Sequence, residues 1–305
     1  MTMPKKVRIV EVGPRDGLQN EKEILSVDDK LEYISLLADA GLSTIETSSF
    51  VKPSSIPQMG DAVELFPKVK ARLQGRKINL PCLVPNLKGY ETAKALGVEE
   101  IALFSATSDT FTKKNINATV DESFERMKEV AEQALKDGIR IRGYISTAFG
   151  CPYEGTMDVS KLHKVTERFF KLGAYEVSVG DTIGVAVPKQ VREYLKVLIK
   201  DFPVGKLAMH LHDTRGMALA NILVSLEEGI STYDSSSGGL GGCPYARGAT
   251  GNVATEDVWY LMQSYGIETG IDIAKLAEAS KFILGKVKKN TESKFLKAFI
   301  NTGRV

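Results

Sequence analysis

Two histidines separated by a single residue, His210 and His212, form the most informative motif of this chain. In a β-strand, residues i and i+2 point to the same face, so both imidazoles can address one point. Two hydrogen-bonded core histidines would show the same spacing. A carboxylate from Asp16 and an amide oxygen from Asn252 would turn the pair into a mixed nitrogen and oxygen ligand set. Such a set suits Mg²⁺ or Mn²⁺, and Zn²⁺ is also compatible with it.

Three more charged residues favour a catalytic site. Arg15 directly precedes Asp16. It could form a structural ion pair with a carboxylate, or its permanent charge could stabilise a developing oxyanion or enolate. Glu46 and Asp181 lie near the ends of predicted strands, where a buried carboxylate without a metal or a cationic partner is costly. That cost indicates a polar site.

A glycine-rich segment carries Cys243. Residues 238–252 include six glycines, which is typical either of an ordinary flexible turn or of a mobile lid. In a lid, the thiol of Cys243 could act as an acid or a base. Cys82 lies in an apolar strand and is predicted to be buried and inert, whereas Cys151 is a weaker candidate for lining the site.

Short β-branched segments alternate with longer amphipathic segments along the chain, and this alternation predicts the elements that must position these residues. Eight strand and helix units predict a parallel sheet of the α/β class that closes into a single (β/α)8 TIM barrel. The barrel would span residues 1–305, with a C-terminal helical extension from about residue 271. A doubly wound open sheet is the alternative, but its G-x-G-x-x-G turn after the first strand is absent. The predicted strands are 7–12, 43–50, 78–84, 100–105, 140–147, 176–180, 206–212 and 231–235.

Active sites of such barrels lie at the carboxyl ends of the strands. Most of the candidates above fall there. Other polar residues at the same ends are expected to contact a substrate, and they are Gln19, Ser49, Ser178 and Thr182.

Overall composition excludes several classes of protein. The 40 Lys and Arg residues against 38 Asp and Glu residues give a net charge of +2, which provides no field for binding nucleic acid. Three cysteines do not make a disulfide framework and fit a reducing compartment. No segment approaches the roughly 18 apolar residues of a membrane span, and the N-terminus matches no targeting pattern. We therefore expect a soluble, cytoplasmic protein with no nucleic-acid or membrane partner.

Five stretches of the sequence together resemble the 3-hydroxy-3-methylglutaryl-CoA lyase family, which belongs to the metal-dependent aldolase and synthase group of TIM barrels. The Arg-Asp-Gly and His-x-His pieces alone indicate only the wider group, and the stretch around Cys243 is more specific to the lyase. The stretches are 11–20 (EVGPRDGLQN), 46–51 (ETSSFV), 178–184 (SVGDTIG), 210–214 (HLHDT) and 238–246 (GGLGGCPYA).

The resemblance implies cleavage of 3-hydroxy-3-methylglutaryl-CoA to acetoacetate and acetyl-CoA with Mg²⁺ or Mn²⁺, as in leucine degradation and ketogenesis. Arg15 would stabilise the enolate, Cys243 would take part in proton transfer, and Glu46 and Asp181 would be catalytic or would organise the site. His210 would also be able to shuttle a proton. The implied metal ligands are Asp16, His210, His212 and Asn252.

An acyl-CoA substrate carries phosphates, so cations should line the entry to the site. Lys114 and Asn115, after the fourth predicted strand, are candidates, although a solvated lysine pair at 113–114 is the alternative. A homo-oligomer, dimeric or larger, is compatible with the sequence. Competing functions are a lyase for another 3-hydroxyacyl-CoA, a 2-isopropylmalate- or homocitrate-type synthase, and a catalytically silent barrel scaffold.

Overall fold

The structure is a computed structural model that describes residues 3–242 and 251–302. In these ranges it contains ten strands, of which eight form one parallel sheet and two, β6 and β7, form a separate antiparallel hairpin. In chain order the strands are β1 (Arg8–Glu11), β2 (Ser48–Ser49), β3 (Cys82–Leu83), β4 (Glu100–Ala106), β5 (Arg140–Ser146), β6 (Gly150–Cys151), β7 (Gly155–Thr156), β8 (Glu176–Asp181), β9 (Leu207–Leu211) and β10 (Thr232–Ser235).

The large sheet closes on itself. Its strand order is β1-β10-β9-β8-β5-β4-β3-β2, with parallel pairing throughout. The two outer strands then meet, because Glu11 N donates to Thr44 O at 3.0 Å and Glu46 N donates to Glu11 O at 2.9 Å. The predicted TIM barrel is therefore confirmed, and the open doubly wound sheet is excluded.

Helices pack around the barrel because one face of each is apolar. In α5, for example, Thr119 and Glu122 form a capping box at the start, while Phe124, Met127 and Val130 are buried. In chain order the helices are α1 (Val27–Asp39), α2 (Ala62–Arg72), α3 (Leu87–Ala95), α4 (Asp109–Ile116), α5 (Val120–Lys136), α6 (Val159–Lys171), α7 (Pro188–Asp201), α8 (Ala218–Glu227), α9 (Thr255–Ser264), α10 (Ile273–Val287) and α11 (Lys294–Thr302).

The chain beyond residue 271 forms two helices on the outside of the barrel. Helix α10 packs on α1, and Lys286 forms an ion pair of 2.7 Å with Asp29 there. Helix α11 packs on α9 through Phe295, whose ring centre lies 5.5 Å from that of Trp259. None of the helices within 3–242 and 251–302 is both long enough and apolar enough to cross a membrane.

The interior of the barrel is partly ionic. Arg142 on β5 is fully buried, and its guanidinium pairs with Glu176 and with Asp234, each at 2.7 Å. Glu176 also pairs with Arg8 on β1. Buried charges need such partners, because an unpaired charge inside a protein is strongly destabilising. This buried ion network connects the interior of the barrel to the strand ends that carry the candidate site.

Candidate metal centre

Two elements bring three of the predicted metal ligands together. The turn 13–17 after β1 presents Asp16, and the end of β9 presents His210 and His212. The two Nε2 atoms lie 3.3 Å apart, and Asp16 Oδ2 lies 3.8 Å from His210 Nε2. One ligand atom from each residue fits within a 4.8 Å group, the one such cluster of His, Cys, Asp and Glu found in the described ranges. The His-x-His spacing therefore does place both imidazoles at one point.

Asn252 reaches the same point through backbone pairing. It forms an isolated antiparallel bridge with His212, and Val253 N donates to Leu211 O at 2.9 Å. Only glycine fits at position 251, because a Cβ there would lie 2.6 Å from the Gly241 carbonyl carbon. The Asn252 amide nitrogen donates to Asp16 Oδ2 at 2.9 Å, and its Oδ1 is buried without a hydrogen-bond partner in the described ranges. A buried acceptor without a partner is rare and indicates a missing cation or donor.

The protonation of these residues suits a divalent cation. Burial, together with His210, lowers the pKa of His212 to about 4, so this imidazole is neutral near pH 7, as a ligand must be. Burial opposes ionisation of Asp16, but Arg15 and the two histidines outweigh it and lower its pKa to about 2. An ionised carboxylate, two imidazoles and a free amide oxygen are ligands that Mg²⁺ or Mn²⁺ accepts.

Arg15 lies between two carboxylates. Its Nη1 is 2.7 Å from Asp16 Oδ1 and its Nη2 is 2.8 Å from Glu46 Oε2. The Tyr144 hydroxyl also donates to Glu46 Oε2, at 3.3 Å. Burial raises the pKa of Glu46, although Arg15 opposes that rise. Nε of Arg15 and Oε1 of Glu46 are buried without a partner among the described residues, so both side chains keep hydrogen-bonding capacity for a substrate.

Asp181 uses both carboxylate oxygens to hold the turn after β8. Oδ1 accepts from Val185 N at 3.0 Å and Oδ2 from Ala186 N at 2.9 Å. Burial raises its pKa despite these two bonds. Both carboxylate oxygens of Asp181 are therefore engaged by the backbone of this turn.

A cavity of about 750 Å³ lies beside the cluster. Among the predicted substrate contacts, Gln19, Asn115, Ser178 and Thr182 line it together with Arg15. Ser49 is fully buried, and its hydroxyl has no partner in the part of the chain described. Most of the expected contacts therefore do face one space.

The cations of the cavity are not the expected ones. Lys114 lies over the Tyr153 ring, 4.7 Å from its centre, and is not part of the cavity wall. Lys52 and Arg126 line the cavity instead. Lys52 follows β2 by three residues, so its position after a strand end could have indicated that it lines the cavity. Arg126 lies on α5, where it looks like an ordinary surface residue.

Strained backbone accompanies the cavity. Thr147, just after β5, has φ = 55°, which is unusual for a β-branched residue. Thr182 Oγ1 accepts a hydrogen bond of 2.9 Å from Thr147 N, so this predicted substrate contact also supports the strained turn. Such strain is concentrated at functional sites.

The two cysteines in the described ranges, Cys82 and Cys151, are both buried. Cys82 is buried, as predicted, and burial raises the pKa of its thiol well above its usual value. Cys151 packs with Phe111 and Met157 in a small apolar cluster, and its Sγ is 3.0 Å from Ser108 Oγ. Cys151 therefore lies away from the metal cluster. Cys243 lies outside the described residues.

Comparisons with known proteins find relatives that match nearly the whole chain. A family model described as HMGL-like matches residues 6–283. A mitochondrial hydroxymethylglutaryl-CoA lyase of Homo sapiens is 50% identical over 297 residues, which cover 97% of this chain and 90% of that protein. A cytoplasmic 3-hydroxy-3-methylglutaryl-CoA lyase of Mus musculus is 48% identical over 299 residues, covering 98% and 86%. The crystal structure of hydroxymethylglutaryl-CoA lyase from Pseudomonas aeruginosa superposes with a TM-score of 0.95 at 46% identity, covering 99% of each chain.

Proposed function

The chain belongs to the HMGL-like family and is an enzyme that cleaves 3-hydroxy-3-methylglutaryl-CoA to acetyl-CoA and acetoacetate, and we propose that the centre around Asp16, His210 and His212 is where this cleavage occurs. Two observations support the proposal. The Asn252 oxygen, which has no hydrogen-bond partner in the described ranges, lies with these ligands, and a large cavity lies beside them. A synthase, a lyase for another acyl-CoA and a silent scaffold are not favoured, because relatives that match nearly the whole chain are lyases for this substrate.

Cleavage breaks the bond between C2 and C3 of the substrate, and the 3-hydroxyl must lose its proton. Asp16, His210, His212 and Asn252 would hold Mg²⁺ or Mn²⁺, which would supply Lewis-acid polarisation of the substrate oxygens. The cation would satisfy the Asn252 oxygen, which has no other partner in the described ranges. Neutral His212 and ionised Asp16 are in the protonation states that ligands need.

The electron pair of the broken bond stays on C2 as a thioester enolate. Arg15 lines the cavity next to Asp16, and its guanidinium balances this negative charge. Protonation of C2 then yields acetyl-CoA. Cys243 is proposed as the proton donor for that step. Glu46 is proposed to accept the proton of the 3-hydroxyl, because burial raises its pKa and its Oε1 is free in the described part of the chain. His210, the other predicted proton carrier, has Nδ1 on Asp234 and Nε2 toward the metal ligands, so its proposed role is metal binding.

Substrate binding is assigned to the residues of the cavity. The polar residues that line it are Gln19, Ser178, Thr182 and Asn115. Ser49, the last residue of β2, adds a buried hydroxyl. Lys52 and Arg126 provide positive charge for the phosphates of CoA. Lys114, the cation predicted from the sequence, is a weaker candidate for binding the phosphates, because it does not line the cavity and its ammonium lies over the Tyr153 ring.

The first experiment measures acetoacetate released from 3-hydroxy-3-methylglutaryl-CoA by the metal-stripped protein after addition of Mg²⁺ or Mn²⁺. His212→Ala should lose metal binding and nearly all turnover. His163→Ala is the matched control, because His163 lies on α6 and pairs with Asp201, outside the site. Equal activity of both variants would contradict the assigned centre. Turnover of a longer 3-hydroxyacyl-CoA without acetoacetate release would move the substrate assignment.

We further propose a cytoplasmic location and a homo-oligomeric state. The cytoplasmic relative from Mus musculus and the reduced, buried Cys82 and Cys151 support the location. Exposed Tyr260 and Ile300, on α9 and α11, leave apolar area that a second copy could cover. Cell fractionation tests the location. Light scattering after size exclusion tests the oligomer, and a mass of one chain would exclude it.

A further inference from the structure

A buried carboxylate lies directly behind His210. The strand pairing of β9 and β10 places Asp234 opposite His210, and His210 Nδ1 is 3.2 Å from Asp234 Oδ2. The other ring nitrogen, Nε2, faces His212 and Asp16. A neutral imidazole carries one N–H, so donation from Nδ1 to Asp234 leaves the lone pair of Nε2 free for a metal ion.

Asp234 is held rigidly. Arg142 donates to its Oδ1 at 2.7 Å and to its Oδ2 at 3.3 Å, and the Ser178 hydroxyl donates to Oδ2 at 2.7 Å. Arg142 is itself fixed by Glu176, 2.7 Å from its Nε. Both Asp234 and Arg142 are excluded from solvent, so no water competes for these bonds.

The two histidines of the cluster differ in this support. Nδ1 of His212 is buried and has no hydrogen-bond partner in the described ranges. Within those ranges, His210 is thus the one imidazole of the pair whose ring is held from behind by a carboxylate. A change at Asp234 should act on the metal through His210 alone.

We propose that Asp234 is a positioning residue of the lyase, which fixes His210 in the Nδ1–H tautomer so that Nε2 points to the metal, with Arg142 holding Asp234 in place. This inference rests on the metal centre of the proposed function. Hydrogen-bond partners of metal ligands typically change metal affinity by about 10- to 100-fold when they are replaced.

Asp234→Asn is the informative substitution. Arg142 keeps the amide oxygen at the Oδ1 position, so the new NH₂ group takes the Oδ2 position, where it faces His210 Nδ1 and moves the ring proton to Nε2. The Ser178 hydroxyl then turns to accept from this NH₂ group instead of donating. The matched control is Glu100→Gln, because Glu100 is likewise a buried barrel carboxylate paired with an arginine, Arg140, and its contacts in the described ranges include neither Arg142 nor His210. Urea unfolding first shows that both variants are folded and how much stability each has lost.

Mn²⁺ binding to the metal-stripped full chain, measured by calorimetry, is the readout. We expect Asp234→Asn to bind Mn²⁺ about 10- to 100-fold more weakly than the wild type, and Glu100→Gln to bind as the wild type does. Equal affinity of all three proteins, or equal weakening in both variants, would overturn the inference while leaving the metal centre in place. A wild-type protein that binds no Mn²⁺ would instead overturn the proposed metal centre and the inference with it.

A second measurement needs no variant. The chain has three histidines, so a spectrum of ¹⁵N-labelled imidazoles contains few signals. We expect His210 in the wild-type protein to show a protonated Nδ1 and an unprotonated Nε2 with Mg²⁺ bound. The opposite tautomer would overturn the inference even if Asp234→Asn failed to fold.

Discussion

Replacing Arg15 by methionine tests whether one buried charge both holds the site together and stabilises the reaction. The Arg15 side chain is 7% exposed and lies 2.7 Å from Asp16 and 2.8 Å from Glu46. Methionine keeps similar length and removes the charge. The Glu46 carboxylate, fully buried, would then keep only the Tyr144 hydroxyl at 3.3 Å among its partners in the described ranges.

The expected loss of stability follows from that unpaired carboxylate. Breaking a buried ion pair by removing one partner costs about 3–5 kcal/mol. Protonation of Glu46 limits this cost, because burial already raises its pKa, so we expect Arg15→Met to lose about 3 kcal/mol in urea unfolding. The double variant Arg15→Met/Glu46→Gln removes both charges and should recover at least half of that loss. Glu46→Gln alone completes the cycle.

Activity should behave differently from stability. Loss of a donor to a developing oxyanion typically lowers kcat by about 100- to 1000-fold, and the neutral amide introduced by Glu46→Gln cannot replace the missing positive charge in the double variant. Acetoacetate release at saturating Mg²⁺ should therefore stay low in both Arg15→Met and the double variant. Near wild-type kcat in Arg15→Met would remove Arg15 from the mechanism. A double variant as unstable as the single one would refute the ion pair as the source of the stability loss.

Three further predictions follow from other parts of the structure. Burial raises the pKa of Glu256 to about 8, so its contribution to stability should be lost as pH rises from about 4.5 through 8. The free energy of unfolding of the wild type, measured with urea, should fall relative to that of Glu256→Gln over this range by on the order of a few kcal/mol, and parallel curves would contradict this. Gly251→Ala should cost about 1–3 kcal/mol and weaken Mn²⁺ binding, because its Cβ would meet Gly241; calorimetry on the folded variant checks it. Lys52→Ala should raise the KM for the acyl-CoA more than the matched surface change Lys114→Ala does, and equal KM values would exclude Lys52 as a phosphate contact.

Much of the fold was predictable because its signals are local. The predicted strand 140–147 corresponds to β5, and the apolar face of α5 is also visible in the sequence, since both kinds of period appear within a few residues. Helix α2 forms against its local sequence, because Pro67 lies inside it and argues against a helix. The second predicted strand, 43–50, is regular only at Ser48–Ser49 and otherwise pairs through isolated bridges.

The candidate site was predictable where residue type and strand position agree. His210, His212 and Asp16 were found because parallel strands bring their carboxyl ends together. Asp234 was missed, because a carboxylate in the short buried strand β10 gives no local sign of which side chain it contacts. The cation Arg126 was missed for the same reason: its α5 position predicts a solvated face, although it lines the cavity.

The sequence by itself determined the class of fold through its strand and helix periods, and the candidate metal ligands through the residue types at the strand ends. The lyase chemistry followed from the resemblance of five stretches to a known family. Only the tertiary structure decided which contacts each side chain makes across the barrel. It placed Arg15 between Asp16 and Glu46, turned both oxygens of Asp181 toward a backbone turn, and set Asp234 behind His210. The contacts of Arg15 with Glu46 and of His210 with Asp234 join residues tens of positions apart, and their distances are set by strand register and barrel closure, which no local pattern records.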